Sequence, residues 1–387
     1  MTSITRLLEH CRSCKHLFLG MDRDGTLVPY QKFPEDAVMP EETRDLLKEI
    51  AALPNVWVAI VSARGNVRLK KDVDDREIIL AGNYGMEMRL QDGQEWVAPG
   101  ALQAVPELRR IHGELASIAQ RFQGSILEDD YYSYCLHWHL VSVEDRPALH
   151  EAVLQLKQTL SSVSMRQLPT SYEFMPNMPW NKGNALDTIA SLPQFSDKHP
   201  YFVYMGDTDA DEPAFEWANT HGGSSVRVGA LDKGTKAKYR LPEPADIISF
   251  LESLLKQRSI LSTIAYDADE DPVQREKKIE AVFNTLKKDY AKGLADRIKE
   301  LQALVAIAIA KPDDPTSLTE ARTRTHRIRG TIGSYGFTEI SALLGDIEAA
   351  LETIEKTNSS GGNHWKNAIP IIEDNFAKAI RMAKTAS

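Results

Sequence analysis

The sequence predicts an α/β protein: a parallel-sheet core, a small α/β segment inserted into it, and an all-α helical bundle after it. Three observations predict this. Short apolar runs alternate with helical patterns through the first 258 residues, as in a sheet buried on both faces. Residues 87–178 break that alternation with a rhythm of their own. Charge also changes sign along the chain: residues 272–387 hold 18 basic and 15 acidic residues, whereas residues 1–271 hold 28 and 40. A length of 387 residues allows two or three domains.

The strands come first. Leu17–Met21, Val56–Val61, Ile78–Ala81, Tyr201–Met205 and Val226–Val228 are apolar runs, each ending in a polar residue or glycine. In open α/β sheets, ligands bind at the carboxyl ends of the strands. In the insertion, Leu108, Ile111, Leu115, Ile118 and Phe122 set a helix over Pro106–Gln123. Ser125–Glu128 and Tyr132–Val141 read as strands, Arg146–Leu160 as a helix and Ser164–Phe174 as extended. The expected organisation is a core of residues 1–86 and 179–258, a cap of residues 87–178, a linker at 259–271 and a helical bundle at 272–387. The acidic stretch Tyr266-Asp-Ala-Asp-Glu-Asp-Pro272 marks the linker.

Several functions are excluded by composition. A net charge of -9 disfavours a general nucleic-acid binder. No run of 18 apolar residues is present, which removes a transmembrane helix, and no signal-peptide core precedes Lys15. The expected setting is therefore cytoplasmic, without membrane or nucleic-acid partners. Three cysteines make no disulfide framework. Cys11-x-x-Cys14 lacks the second ligand pair of a zinc knuckle and reads as a helical spacing.

Chemistry concentrates at the strand ends. Asp22-Arg-Asp24-Gly25-Thr26 follows the first strand, and carboxylates at i and i+2 there point the same way. One can attack phosphorus while the other protonates the leaving oxygen. Thr26 and Ser62 offer hydroxyls to a phosphate. Lys182-Gly183 opens a helix with a point charge and N–H groups suited to an anion. Gly206-Asp207-Thr-Asp209-Ala-Asp211-Glu212 clusters carboxylates suited to Mg²⁺. Each signal alone also fits an ordinary turn or helix start; their chain order, each at a strand's carboxyl end, carries the argument.

With all four motifs in order, residues 12–257 resemble the haloacid dehalogenase superfamily of aspartyl-nucleophile phosphatases. The resemblance implies Asp22 as nucleophile and Asp24 as general acid and then base. It implies Ser62 and Lys182 on the phosphoryl group. Mg²⁺ would be held by Asp22, the Asp24 main-chain carbonyl and Asp207, with Asp211 as ligand or support. Within the superfamily, the chain is similar to trehalose-6-phosphate phosphatases, through Ser62-Ala-Arg64, Gly82-Asn-Tyr-Gly85-Met-Glu87, Glu173-Phe-Met-Pro176 and Asp207 through Phe215. That implies a sugar-phosphate substrate, with Arg64 and Glu173 as substrate-binding residues. Thr208, Ala210, Tyr84 and Ala63 depart from the family pattern and bear on specificity. His137-Trp138-His139 could line a sugar site but reads better as part of a half-buried strand pair.

The last 120 residues read differently. Ile279, Val282, Phe283, Leu286 and Tyr290 form one apolar stripe, continued by Leu294, Ile298, Leu301 and Val305. Further helices are expected at Ser317–Tyr335, Thr338–Lys356 and Trp365–Ala383, giving an antiparallel bundle. His326 has Gly330 and Gly333 on its own helix face, flanked by Arg322, Arg324, Arg327 and Arg329. Mid-helix glycine costs about 1 kcal/mol, so two beside a histidine suggest a face cleared for a partner. His326 through Phe337 resembles the signature of histidine-containing phosphotransfer (HPt) domains. The resemblance implies His326 as phosphoacceptor from a response-regulator receiver domain, with Arg329 and Gly330 supporting transfer. Two function classes follow: a sugar-phosphate phosphatase with a phosphorelay domain, or a signalling scaffold whose phosphatase-like part is not catalytic. A different sugar phosphate is the alternative within the first class.

Overall fold

The structure, a computed structural model, describes residues 4–229, 234–263, 281, 284–285, 287–288, 290–311, 314–358 and 365–386. Backbone contacts divide the chain into two compact units, Lys15–Arg240 and Met1–Cys14 with Leu241–Ser387. Residues 1–14 and 241–258, expected with the sheet core, therefore group with the C-terminal helices. Their apolar residues (Leu7, Leu8, Ile247, Leu251 and Leu254) are buried.

In chain order, α1 (Ile4–Ser13) precedes β1 (Leu17–Met21), α2 (Glu41–Ala51), β2 (Val56–Val61), α3 (Asn66–Asp72) and β3 (Ile78–Gly82). The antiparallel hairpin β4 (Glu87–Arg89) and β5 (Glu95–Val97) follows. The insertion comprises α4 (Pro99–Arg121), β6 (Ile126–Asp129), β7 (Tyr134–His137), α5 (Arg146–Lys157), β8 (Val163–Gln167) and β9 (Ser171–Pro176). The chain returns through α6 (Lys182–Ala190), β10 (Tyr201–Gly206), α7 (Glu212–Thr220), β11 (Ser224–Val228) and β12 (Tyr239–Leu241). Helices α8 (Pro244–Thr263), α9 (Leu294–Ala310), α10 (Pro315–Ser334), α11 (Thr338–Asn358) and α12 (Trp365–Ala386) follow.

The main sheet runs β12-β11-β10-β1-β2-β3-β4-β5, parallel from β11 to β3. Every residue of β1, β2 and β3 is buried, as their unbroken apolar runs require. Strand order reverses between β1 and β10, so their carboxyl ends flank the crevice where ligands bind. The hairpin β4–β5 is a correction: residues 87–97, expected in the insertion, extend the main sheet against β3. Three-residue strands rich in charge leave no apolar run to read.

The insertion is a four-stranded antiparallel sheet, β6-β7-β9-β8, with α4 and α5 packed on one face. The stretch read as one extended segment is the hairpin β8–β9. Leu108, Ile111 and Leu115 on α4 meet Leu149 and Val153 on α5 and Tyr172 and Phe174 on β9. His137 ends β7 with Nε2 2.7 Å from Glu128 Oε2, and Trp138 packs on this core, which fits the strand-pair reading.

In the other unit, α9, α10, α11 and α12 share one apolar core, including Leu301, Ile332, Tyr335, Leu344 and Phe376. The expected linker start at 259 lies inside α8, which continues to Thr263. Ile279, Val282, Phe283 and Leu286, the opening of the first stripe, lie outside the described residues. Among the described residues, no helix is long and apolar enough to cross a membrane.

Candidate active site

The site is built where β1 and β10 end side by side. Asp22 N–H donates to Met205 O at 2.8 Å, which carries the sheet register one residue past the strands. The chain then turns at Gly25 with φ +80°; a Cβ there would lie 2.0 Å from Asp207 Oδ2. Only glycine lets the turn approach the second carboxylate so closely.

Asp22, Asp207 and Asp211 place carboxylate oxygens within 4.8 Å of one another. Lys182 Nζ, 2 % exposed, sits 2.7 Å from Asp22 Oδ1 and 2.7 Å from Asp211 Oδ1. Burial opposes charge on this lysine, yet Asp211 and Asp22 hold its pKa above the usual range. Burial, with Asp211 and Asp207 nearby, pushes the Asp22 carboxyl well up against the pull of Lys182. Asp207 is pushed up to about 6 by burial and by Asp211. For Asp211 the lysine outweighs burial and holds the carboxyl below its ordinary value.

The donor set fits a hard cation. Asp207 Oδ1 is buried without a hydrogen-bond donor, while its Oδ2 accepts from Tyr30 Oη at 2.8 Å. Asp211 is different. Its Oδ1 accepts from Lys182 and Tyr204, and its Oδ2 from the N–H groups of Asp207 and Thr208 and the Thr208 hydroxyl. Both oxygens are committed, so Asp211 orients Lys182 and the 207–208 backbone.

Two of the expected phosphate groups are buried hydroxyls close to strand ends. Thr26 is fully buried, and its Oγ1 has no partner. Ser62 is buried at the end of β2 and accepts from Arg64 N–H at 3.1 Å. The start of α6 contributes less than its sequence suggested. Asn181 Oδ1 already caps Gly183 N–H and Asn184 N–H, so neither of these amides is offered to an anion.

Two arginines hold the Asp24 carboxylate. Arg64 binds it through two bonds, Nε to Oδ2 at 2.7 Å and Nη2 to Oδ1 at 2.8 Å, and Arg23 Nη1 adds a third at 2.6 Å. Arg64, expected on substrate, is thus engaged with the general-acid candidate. Arg23 is buried and also bonds Asp72, a role that no spacing in the sequence announces.

Glu173, on the β9 face of the insertion, accepts from Tyr84 Oη at 2.7 Å and pairs with Arg166. Arg166 also donates to Tyr84 Oη at 2.8 Å. Tyr84, one of the departures from the family pattern, has φ 59° and is buried. Its phenol pKa is raised by burial and by Glu173. The insertion is tied to the main sheet by Gly65 N–H on Asp130 Oδ1 at 2.8 Å and Asn83 Nδ2 on Asp130 O at 3.0 Å. Tyr30, Arg23 and Arg166 each act through a partner distant in sequence, and Tyr204 through Asp211 seven residues on; no motif announces them.

His326 lies in the helical unit, and its face is not open. The side chain is 3 % exposed. Nδ1 contacts Glu348 Oε1 at 2.6 Å, and Nε2 lies 2.7 Å from Asp246 Oδ1 on α8. Burial favours the neutral ring, but the two carboxylates prevail and push its pKa up to about 10. The basic rim is neutralised in part: Arg329 pairs with Glu348 and Arg322 with Glu355 and Glu243. The glycines clear space as expected, but the chain fills it, Ser249 of α8 beside Gly330 and Ser341 of α11 beside Gly333. A Cβ on Gly330 would stand 3.2 Å from Ser249 Cβ.

Comparison with known proteins places the first unit. Residues 20–245 match the family model described as trehalose-phosphatase. Trehalose-phosphate phosphatase B of Arabidopsis thaliana is 27% identical over 252 residues, 62% of this chain and 67% of that protein. Trehalose 6-phosphate phosphatase RA3 of Zea mays is 26% identical over 258 residues, 63% and 71% of the two chains. Among solved structures, the C-terminal domain of Candida albicans trehalose-6-phosphate phosphatase aligns with TM-score 0.57 at 20% identity, covering 66% of this chain and 97% of that domain. A trehalose-6-phosphate phosphatase related protein aligns with TM-score 0.54 at 20% identity, covering 64% of this chain and all of the other.

Proposed function

The chain belongs to the trehalose-phosphatase family and is a phosphoric monoester hydrolase, and from that premise we propose that it hydrolyses trehalose 6-phosphate through an aspartyl-phosphate at Asp22. The observation that carries this is Asp22 itself. It is a buried carboxylate beside Lys182, facing Asp207 across the strand-order reversal.

Asp22 attacks the phosphorus, and the bond from phosphorus to the sugar oxygen breaks. Asp24 protonates that oxygen. The substrate phosphate competes for Arg64 and so frees Asp24 from its bidentate pair. Thr26, Ser62 and Lys182 bind the phosphoryl oxygens. Water then attacks phosphorus, Asp24 takes its proton, and the bond to Asp22 breaks. Mg²⁺ held by Asp22, Asp207 and the Asp24 main-chain carbonyl would supply charge neutralisation at the phosphoryl group. The insertion acts as a cap that excludes water and presents Glu173, with Tyr84 and Arg166, to the sugar hydroxyls.

The test is a comparison of substrates. kcat/KM for trehalose 6-phosphate should exceed that for glucose 6-phosphate by at least about tenfold, roughly 1.4 kcal/mol. Equal values would make the protein a general sugar phosphatase. Glu173→Gln should collapse that preference while leaving turnover of p-nitrophenyl phosphate within about threefold, a difference of under 1 kcal/mol.

Metal dependence has a pH signature. The metal-free fold carries a proton on Asp207 up to about pH 6, whereas the unfolded chain loses it near the ordinary value. This carboxyl therefore weighs against folding increasingly as pH rises through that window, and fully above it. A cation replaces the proton only when the proton has left. Mg²⁺ should raise Tm more at about pH 7.5 than at about pH 5. A Tm shift of equal size at both pH values would remove Asp207 from the metal site.

A second reading concerns the helical unit. Glu348 on Nδ1 leaves Nε2 as the nitrogen that could attack, and Gly330 and Gly333 share its face. On that reading the unit is an HPt-like bundle. His326 accepts a phosphoryl group from a response-regulator receiver, and Arg329 and Gly330 support the transfer.

A further inference from the structure

The face of His326 is already occupied by a segment of this chain. Helix α8 seats Asp246 against Nε2 at 2.7 Å and Ser249 over Gly330. At the start of α8, Glu243 Oε1 lies 3.3 Å from Arg322 Nη1, so a second acid meets the basic rim. We propose that the His326–Gly330 face is a docking surface for an acidic partner, that α8 is its resident occupant, and that a receiver domain reaches His326 only by displacing α8. This rests on the reading of His326 as a phosphoacceptor.

Chemistry, steric fit and packing agree on it. A receiver presents carboxylates at its phosphorylation site, and α8 offers carboxylates at the same nitrogen and the same arginine. The occupant also silences the ring. Among the described residues, Asp246 from α8 and Glu348 from α11 both favour the doubly protonated form and outweigh the opposing charge of Arg329, which is paired with Glu348. A protonated Nε2 has no lone pair for phosphorus.

The seat is nevertheless releasable. Nε2 and Asp246 form an ion pair without an aligned hydrogen bond. Ser249 Oγ bonds its own helix at Ala245 O, so its contact with Gly330 is steric. A groove of about 270 Å³, open to solvent on one side, runs beside the contact, lined in part by Leu8, Phe250, Arg329, Gly330 and Gly333.

The test uses the full chain and phosphoramidate, a phosphodonor small enough to need no docking surface. The Nε2 lone pair attacks phosphorus, the P–N bond to the leaving ammonia breaks with its electron pair, and the P–Nε2 bond forms. The ring keeps its Nδ1 proton against Glu348. Asp246→Asn frees the nitrogen electrostatically, and Ser249→Leu lifts α8 sterically from Gly330. Phosphorylation at residue 326 is followed by mass spectrometry at neutral pH, with His326→Gln as the blank. Both variants should label at least about tenfold faster than the parent, since each pH unit by which the ring's proton loosens multiplies the neutral fraction about tenfold. Equal rates in parent and variants would overturn the cover while leaving His326 a phosphoacceptor. No label at residue 326 in any protein would overturn the phosphoacceptor reading, and the cover with it.

Discussion

Asp22→Asn is expected to reduce turnover by about 10⁴–10⁶-fold, the range seen when a covalent nucleophile is removed, or roughly 5–8 kcal/mol in the barrier. The amide has the shape of the carboxylate and none of its nucleophilicity. The fold should survive, because the metal-free protein already disfavours charge at this position. Burial and the neighbouring Asp211 and Asp207 push the carboxyl up. A neutral amide relieves that repulsion, so metal-free Asp22→Asn should melt no lower than the parent, and its Mg²⁺-induced Tm shift should shrink. Turnover at the parental rate would exclude Asp22 as nucleophile.

Lys182→Gln is the second large effect. The ammonium stands between two buried carboxylates at 2.7 Å each and is itself 2 % exposed. Removing one partner of a buried pair leaves charge uncompensated and costs about 3–5 kcal/mol of stability. That cost should appear as a lower denaturant midpoint at unchanged m. Turnover should fall about 10²–10³-fold through the lost electrostatic stabilisation of the phosphoryl group. Lys182→Arg should not restore it, because a planar fork cannot replace a compact charge in this space. A variant with parental stability and activity would contradict the buried triad.

Much of this site could be read from the sequence because its residues sit where strands end. Apolar runs announced β1, β2, β3 and β10, and the ends of β1 and β10 bring Asp22 and Asp207 together. Groups that act through distant partners left no such trace. Tyr30 reaches Asp207 across 177 residues, and Arg166 reaches Tyr84 across 82. The hairpin at 87–97 was too short and too charged to show a period. Asp24 was recognisable as a carboxylate beside the nucleophile, but not its capture by Arg64, which depends on a side chain 40 positions away.

The helical unit shows a different limit. The periodicity of residues 294–383 identified each helix, but the glycine spacing, read as a face cleared for a partner, marks a face that the chain itself fills. What crowds it could not be read. Helix α8 looks from sequence like the last helix of the sheet core, and only the fold brings Asp246 to His326.

The central claim is that phosphate leaves trehalose 6-phosphate by way of Asp22. Acid quenching during turnover, followed by borohydride, reduces an acyl phosphate to homoserine, which mass spectrometry locates. The account expects homoserine at residue 22, in proportion to the phosphorylated enzyme present at quenching, and none in Asp22→Asn. Rapid release of phosphate from trehalose 6-phosphate with Asp22 recovered unmodified throughout would contradict it.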